Sequence, residues 1–171
     1  GEFTPRRRHA RDNGRGDLDA VADMPHAVEI VRRVRGGMTD RDVRRAVELT
    51  LRALKRRAAQ SVSVTFLGDA AIRALNSRTR KIDETTDVLS FPGETVERFP
   101  TGDLPFFGDV VISLPYARRD AKRLGITLQH ELFDLIVHGL LHCAGYDHLK
   151  QTQARRMFRL QEILVARLCS R

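Results

Sequence analysis

The alternation of apolar and polar residues predicts four β-strands in this chain. It is clearest over residues 61–67 (SVSVTFL), a β-branched stretch in which the apolar residues stand two apart, and it recurs over residues 27–34. The stretches TDVLSF (86–91) and GDVVIS (108–113) have the composition of two further strands.

A longer period, near that of an α-helix, predicts five helices between and after these strands. Thr39 and Asp42 resemble a capping box, and they precede a helical stripe of apolar residues: Val43, Ala46, Val47, Leu51 and Leu54. Asp69 is predicted to cap a second helix that ends near Arg78. The other three helices are predicted from Pro115 to about Gly125, from Thr127 to about Ala144 and from about Lys150 to Cys169.

This order of elements predicts a single α+β domain with a small mixed four-stranded sheet packed with about five helices. A chain of 171 residues has the length of one domain. Residues 1–24 lack periodicity and are predicted to be a disordered tail, which leaves residues 25–171 as the domain. The opening letters GEF resemble a cloning scar, and Met24 is a candidate natural start.

The net charge of +8 lies entirely in the predicted domain, because the five arginines of residues 1–23 are balanced by five acidic residues. A basic domain indicates a polyanionic partner, although a basic surface kept for solubility fits the charge equally well. No apolar run approaches the ~20 residues of a bilayer span, and the N-terminus lacks the apolar core of a secretory signal. With only two cysteines, the chain is predicted to be cytoplasmic and to have no membrane partner.

Three of the six histidines fall within eleven residues, HGLLHCAGYDH (138–148). His138 and His142 are four apart on a helix that is apolar almost all round, so they share a face, and a common metal ion would partner both. Gly145 can adopt the left-handed conformation that ends the helix and returns His148 to the same point. Three imidazoles with an open fourth position are typical of a catalytic zinc site, here at the end of a buried helix; the alternative is three unrelated histidines.

The spacing of these histidines matches that of metzincin peptidases. Those enzymes place a glutamate directly after the first histidine, where it acts as the general base. Here that position is Gly139, so the zinc geometry is present without the base for peptide hydrolysis.

The motif HGLLHCAGYDH resembles the signature of the YbeY family, bacterial metal-dependent endoribonucleases of rRNA maturation. The blocks LNSRTR (75–80), TDVLSFP (86–92) and GDVVIS (108–113) are similar to family blocks in the same order, and the resemblance covers roughly residues 27–168. Residues 1–24 lie outside the pattern, and Cys143 stands where family members often carry an aliphatic residue.

The resemblance implies that His138, His142 and His148 bind one zinc ion per chain and that Arg80 is essential. A guanidinium fork can clamp phosphate oxygens with two hydrogen bonds while negative charge develops on them. Taken alone, Arg80 would be interpreted as a solvated surface arginine.

Other polar residues near the motif have two interpretations each. Asp147 either orients a ligand or accepts a proton, as a catalytic residue, or forms the turn. Asp134, one turn before His138, is either a hydrogen-bond partner of that ligand or half of a surface ion pair. His130 is out of helical phase with His138 and is not expected to bind the metal, and Cys143 is expected to be a small buried residue.

The motif predicts a zinc-dependent hydrolase. The resemblance implies that it is a single-strand-specific endoribonuclease that acts in maturation of rRNA, chiefly that of the small subunit, and in ribosome quality control. The resemblance implies single-stranded RNA as the substrate, and a small-subunit ribosomal protein and a ribosome-assembly GTPase as possible partners. Two alternatives are a zinc metallopeptidase and a non-catalytic RNA-binding assembly factor in which zinc only holds the fold.

Overall fold

Four strands and five helices make up the part of the chain described by a computed structural model, residues 25–95 and 104–170. The strands are β1 (Ala27–Arg32), β2 (Ser61–Leu67), β3 (Val88–Pro92) and β4 (Phe106–Ser113). The helices are α1 (Asp40–Ala53), α2 (Asp69–Arg80), α3 (Leu114–Leu124), α4 (Leu128–Cys143) and α5 (Gln151–Cys169). The tail predicted for residues 1–24 lies outside the described residues.

The strands form one mixed sheet in the order β1-β2-β4-β3, which confirms the predicted α+β class. β1, β2 and β4 run parallel, and β3 pairs antiparallel with β4 at one edge. Parallel neighbours need a crossover, and α1 and α2 begin the two connections that lead from β1 to β2 and from β2 to β4. Strand β3 lies at one edge of this sheet, and it positions the site described below.

The two faces of the sheet carry cores of different size. On β4, Val110 and Ile112 point into the larger core with α1, α4 and α5, whereas Val111 points the opposite way. Val111 packs there with Ile72 of α2 and with Leu89 of β3. Helices α2 and α4 consequently lie on opposite faces of the sheet.

One predicted helix cap is confirmed and another is wrong. The Thr39 hydroxyl accepts a hydrogen bond from the Asp42 amide at 3.2 Å, as a capping residue does. The second cap falls on Gly68, without a side-chain contact, and Asp69 is the first residue of α2. The Asp69 carboxylate instead accepts from Ser113 Oγ and from Arg119 Nη1, both at 2.7 Å, so it ties α2 to the start of α3.

The strand boundaries differ from the prediction by two residues at several ends. β4 begins at Phe106 instead of residue 108, because Phe106 already pairs with Ser61 of β2. β3 begins at Val88 instead of residue 86, and the carboxylate of Asp87 accepts from the Val88 amide at 2.7 Å. The Asp87 side chain thus binds the amide of the first residue of β3. The alternating pattern of apolar and polar residues does not reveal such a contact.

No helix within residues 25–95 and 104–170 combines the length and the apolar character needed to cross a membrane.

Candidate metal centre

Helix α4 is the platform of the site, and its sequence explains why it is buried. Apolar residues occupy almost every side of it, and most of its residues are buried against α1, α3, α5 and the sheet. Its N-terminus is fixed by Thr127, whose hydroxyl accepts from the His130 amide at 3.1 Å. A helix held on all sides fixes the direction of any side chain that it carries.

His138 and His142 project from successive turns of α4 toward the same point. Their Nε2 atoms are 3.0 Å apart, and the ring centroids are separated by 4.6 Å. Two imidazole nitrogens at this distance need a shared proton or a cation between them. Zinc bonds of 2.0–2.1 Å in a tetrahedral site would place two such nitrogens roughly 3.3 Å apart, close to the observed separation.

The turn after α4 brings His148 back to the first two histidines. Gly145 has a φ of +90°, and its amide donates to the His142 carbonyl at 2.9 Å, so the helix ends as predicted. One ring nitrogen from each of His138, His142 and His148 can be chosen so that all three lie within 4.8 Å of one another. The three imidazoles therefore form a group that could hold a metal ion, and its donor set suits zinc.

The His148 ring is steadied by an aromatic neighbour that the sequence did not point to. Phe158 of α5 lies nearly parallel to it, with 6.0 Å between the ring centroids and 12° between the planes. Because His148 is exposed, this stacking contact restrains a side chain that the core does not hold.

The three histidines open onto a cleft of about 670 Å³ that crosses the edge strand β3. Arg80, the last residue of α2, lines the same cleft from the other side of the sheet. Its Nη2 donates to the Ser90 carbonyl at 3.1 Å, and its Cζ lies 6.0 Å from the centre of the Phe91 ring. The contact with Ser90 uses one of five guanidinium donors, and it anchors the side chain at the cleft.

Asp147 also lines the cleft, and its carboxylate has a structural task there. Asp147 Oδ1 accepts from the Leu149 amide at 3.1 Å, which closes a tight turn around His148. Asp147 therefore forms the turn. Its carboxylate also lies in the cleft with the histidines.

Asp134 is linked to His138 by Gln161, a residue that was not predicted from the sequence. Gln161 of α5 is buried, and its Nε2 donates to Asp134 Oδ1 at 2.8 Å. Gln161 Oε1 in turn lies 3.0 Å from His138 Nδ1. Gln161 could have been found from the sequence as the one polar residue in the buried stripe of α5. The other members of this stripe are apolar: Met157, Leu164, Val165 and Leu168.

Cys143 and His130 lie outside the group of three histidines. The Cys143 thiol is buried, and a Cβ on Gly108 would lie 2.6 Å from its Sγ, so the glycine makes room for it. Burial raises the pKa of this thiol to about 12, which keeps it protonated and unreactive.

Burial, with the charges of His138 and His148 as further causes, lowers the pKa of His142. A lowered pKa keeps the ring neutral near pH 7, which is the form that binds a metal.

Gly139, the position of the peptidase base in metzincins, faces the sheet and not the cleft. It is buried, and a Cβ there would lie 2.7 Å from Val110 Cγ1 on β4. A side chain at this position would press into the core. The absence of a glutamate is thus built into the packing of α4 on the sheet.

Glu131 is a buried acid in the first turn of α4, and its burial was not predicted from the sequence. The residue is 6% exposed, and burial raises the pKa of its carboxyl group to about 7, with repulsion from Asp134, Asp120 and Asp87 as further causes. Because the folded protein binds this proton more tightly than the unfolded chain does, stability falls as the pH rises from about 4.5 and the loss is complete above pH 7.

We expect Glu131→Gln to stabilise the protein at pH 8 by up to about 3 kcal/mol, since one pKa unit corresponds to about 1.4 kcal/mol. Urea unfolding at pH 5 and pH 8 measures the effect, and most of the gain should disappear at pH 5. Glu162→Gln, at an exposed position of α5, is the matched control. An equal gain at both pH values would contradict a titrating Glu131.

Comparison with known proteins identifies relatives over most of this architecture. The family model described as endoribonuclease YbeY matches residues 32–169. Proteins named endoribonuclease YbeY include one from Persephonella marina, 40% identical over 73% of this chain and 80% of its own, and one from Chelativorans sp., 39% identical over 85% and 83%. A relative with the same name in Myxococcus xanthus is 46% identical over 61% of this chain, and the match spans 35% of that protein.

A solved structure shares this fold. The solution structure of a Thermotoga maritima protein superimposes with a TM-score of 0.57 and 26% sequence identity, over 82% of this chain and 88% of the other. The family match extends from the last residue of β1 to the end of α5 and includes the whole histidine group. The chain therefore belongs to the endoribonuclease YbeY family.

Proposed function

We propose that this protein is a zinc-dependent, single-strand-specific endoribonuclease that matures rRNA, chiefly that of the small ribosomal subunit, and takes part in ribosome quality control. One observation carries the proposal: three convergent imidazoles and the Arg80 guanidinium line one cleft in a chain of the YbeY family. A cleft of about 670 Å³ has room for a short stretch of unpaired strand.

In this proposal His138, His142 and His148 hold one zinc ion per chain. When bound, zinc polarises a phosphate oxygen or lowers the pKa of a water molecule to ~7. Arg80, which lines the same cleft, donates to the phosphate oxygens as charge builds on them. Asp147 orients the attacking group or accepts its proton, while its bond from Leu149 keeps it in place.

The substrate and partners follow from the same proposal. The +8 charge favours a polyanion such as single-stranded rRNA, bound in the cytoplasm. A small-subunit ribosomal protein and a ribosome-assembly GTPase are proposed partners that would bring the enzyme to its site.

The two alternatives predict different behaviour. A metallopeptidase needs a general base, and Gly139 is packed against Val110, so the position that supplies the base in metzincins is closed. A non-catalytic assembly factor would use zinc to hold its fold. The observed histidines lie at the end of α4, beside the larger core that packs this helix without them, which favours a catalytic role.

Metal removal tests the proposal. We expect the chelated protein to lose cleavage of single-stranded RNA while keeping its secondary structure, and added zinc to restore cleavage, because the core does not depend on the ion. Circular dichroism and a gel assay with an unpaired RNA follow the two properties, and a peptide library serves as the negative substrate. Unfolding on chelation would support the assembly-factor alternative, and peptide cleavage would support the peptidase.

A further inference from the structure

We infer that Gln161 is a positioning residue that fixes the tautomer of His138, and that Asp134 fixes the orientation of Gln161. The inference rests on the proposed metal site, and it assigns roles to two residues outside the histidine group. It starts from the chain of contacts that links Asp134 to Gln161 and Gln161 to His138, with distances of 2.8 Å and 3.0 Å.

The direction of this chain follows from what each group can donate. A carboxylate only accepts hydrogen bonds, so Asp134 must face the amide nitrogen of Gln161. The amide oxygen of Gln161 then faces His138 Nδ1, and an oxygen can only accept there. His138 Nδ1 therefore carries the proton, which leaves the lone pair on Nε2, the atom that faces His142.

Without Asp134, an amide that is free to rotate by half a turn could present its NH₂ group to His138 instead. That orientation would favour the tautomer with the proton on Nε2, and a protonated Nε2 has no lone pair to offer a metal ion. Gln161 is only 8% exposed and sits in the apolar stripe of α5, so water does not readily replace either contact. The arrangement explains why a buried amide and a half-buried acid lie together behind the first histidine.

The metal-free protein at pH 8 provides the first test, because the tautomer can be determined without zinc. We expect ¹⁵N chemical shifts to show His138 protonated at Nδ1 in the parent chain and a mixture of tautomers in Gln161→Met. A second measurement is zinc affinity by competition with a chromophoric chelator. Loss of a hydrogen-bond partner of a metal-bound histidine typically weakens binding about 10- to 100-fold, and we expect that loss in Gln161→Met.

Three further variants separate positioning from simple packing. Gln153→Met, at an exposed position of the same helix, should leave both measurements unchanged. The double variant Gln161→Glu with Asp134→Asn should restore most of the zinc affinity, since the new carboxylate accepts from both His138 and the new amide. Asp134→Ala, at a partly exposed position, should shift both measurements in the same direction as Gln161→Met, and it serves if that variant does not fold.

The outcomes keep this inference apart from the proposed function. A Gln161→Met protein that retains both its zinc affinity and an Nδ1-protonated His138 would overturn the inference and leave the proposed function standing. If Gln161→Met does not fold, unchanged values in Asp134→Ala would overturn it equally. A parent chain that binds no zinc but loses the Nδ1-protonated form in the variants would refute the proposed function and support the positioning role.

Discussion

His148→Ala should lose its zinc and its RNA cleavage together while keeping its fold. His148 is exposed and follows the end of α4, so its removal leaves the buried core unchanged. The remaining pair on α4 offers two of three nitrogens, and we expect affinity to fall by more than the roughly 10- to 100-fold typical of losing a hydrogen-bond partner of a ligand. Metal analysis, thermal unfolding and an RNA cleavage assay measure the three properties.

His130→Ala is the matched control, because His130 lies on the same helix outside the histidine group. It should retain about one zinc per chain and the parental cleavage rate. Full zinc content in His148→Ala would show that this histidine is not a ligand. Collapse of its thermal stability would instead point to a metal that holds the fold.

Arg80→Ala should cleave RNA roughly 10²-fold more slowly or worse, the scale of losing one donor that stabilises developing charge. Zinc content should not change, since arginine cannot ligate a metal. RNA affinity should fall much less than the rate if the contact strengthens mainly in the transition state. Arg80→Lys should also be poor, because an ammonium keeps the charge and loses the two-pronged geometry.

Arg78→Ala provides the comparison for general loss of positive charge. Arg78 is exposed on the same last turn of α2 and does not line the cleft. The salt dependence of RNA binding should fall by at most about one phosphate contact in Arg78→Ala, and the cleavage rate should not change. Near-parental cleavage by Arg80→Ala would exclude the clamp, and loss of zinc or fold would make Arg80 structural.

The histidine group was predictable because its geometry is local. The four-residue spacing of His138 and His142 and the conformational freedom of Gly145 depend on helix geometry alone. The observed φ of +90° and the clustered nitrogens confirm both steps. The four strands and five helices were equally accessible from periodicity, with errors only at their ends.

The place of Arg80 in the cleft depended on the family resemblance. Helices α2 and α4 lie on opposite faces of the sheet, and only the edge strand β3 brings their ends to one opening. No periodic pattern in either helix encodes that juxtaposition. The same holds for Gln161 and Glu131, because a polar residue in an apolar stripe shows that it is buried without showing what it faces.

The close packing of Gly139 on Val110 restricts which residues can replace Gly139 by a single substitution. A glutamate at position 139 would first require a smaller residue at Val110, which is fully buried on the central strand β4. That first step would leave a cavity costing on the order of 2 kcal/mol, a large share of the stability of a typical domain. The peptidase arrangement, with a glutamate directly after the first histidine, therefore has no stable one-step path in this fold.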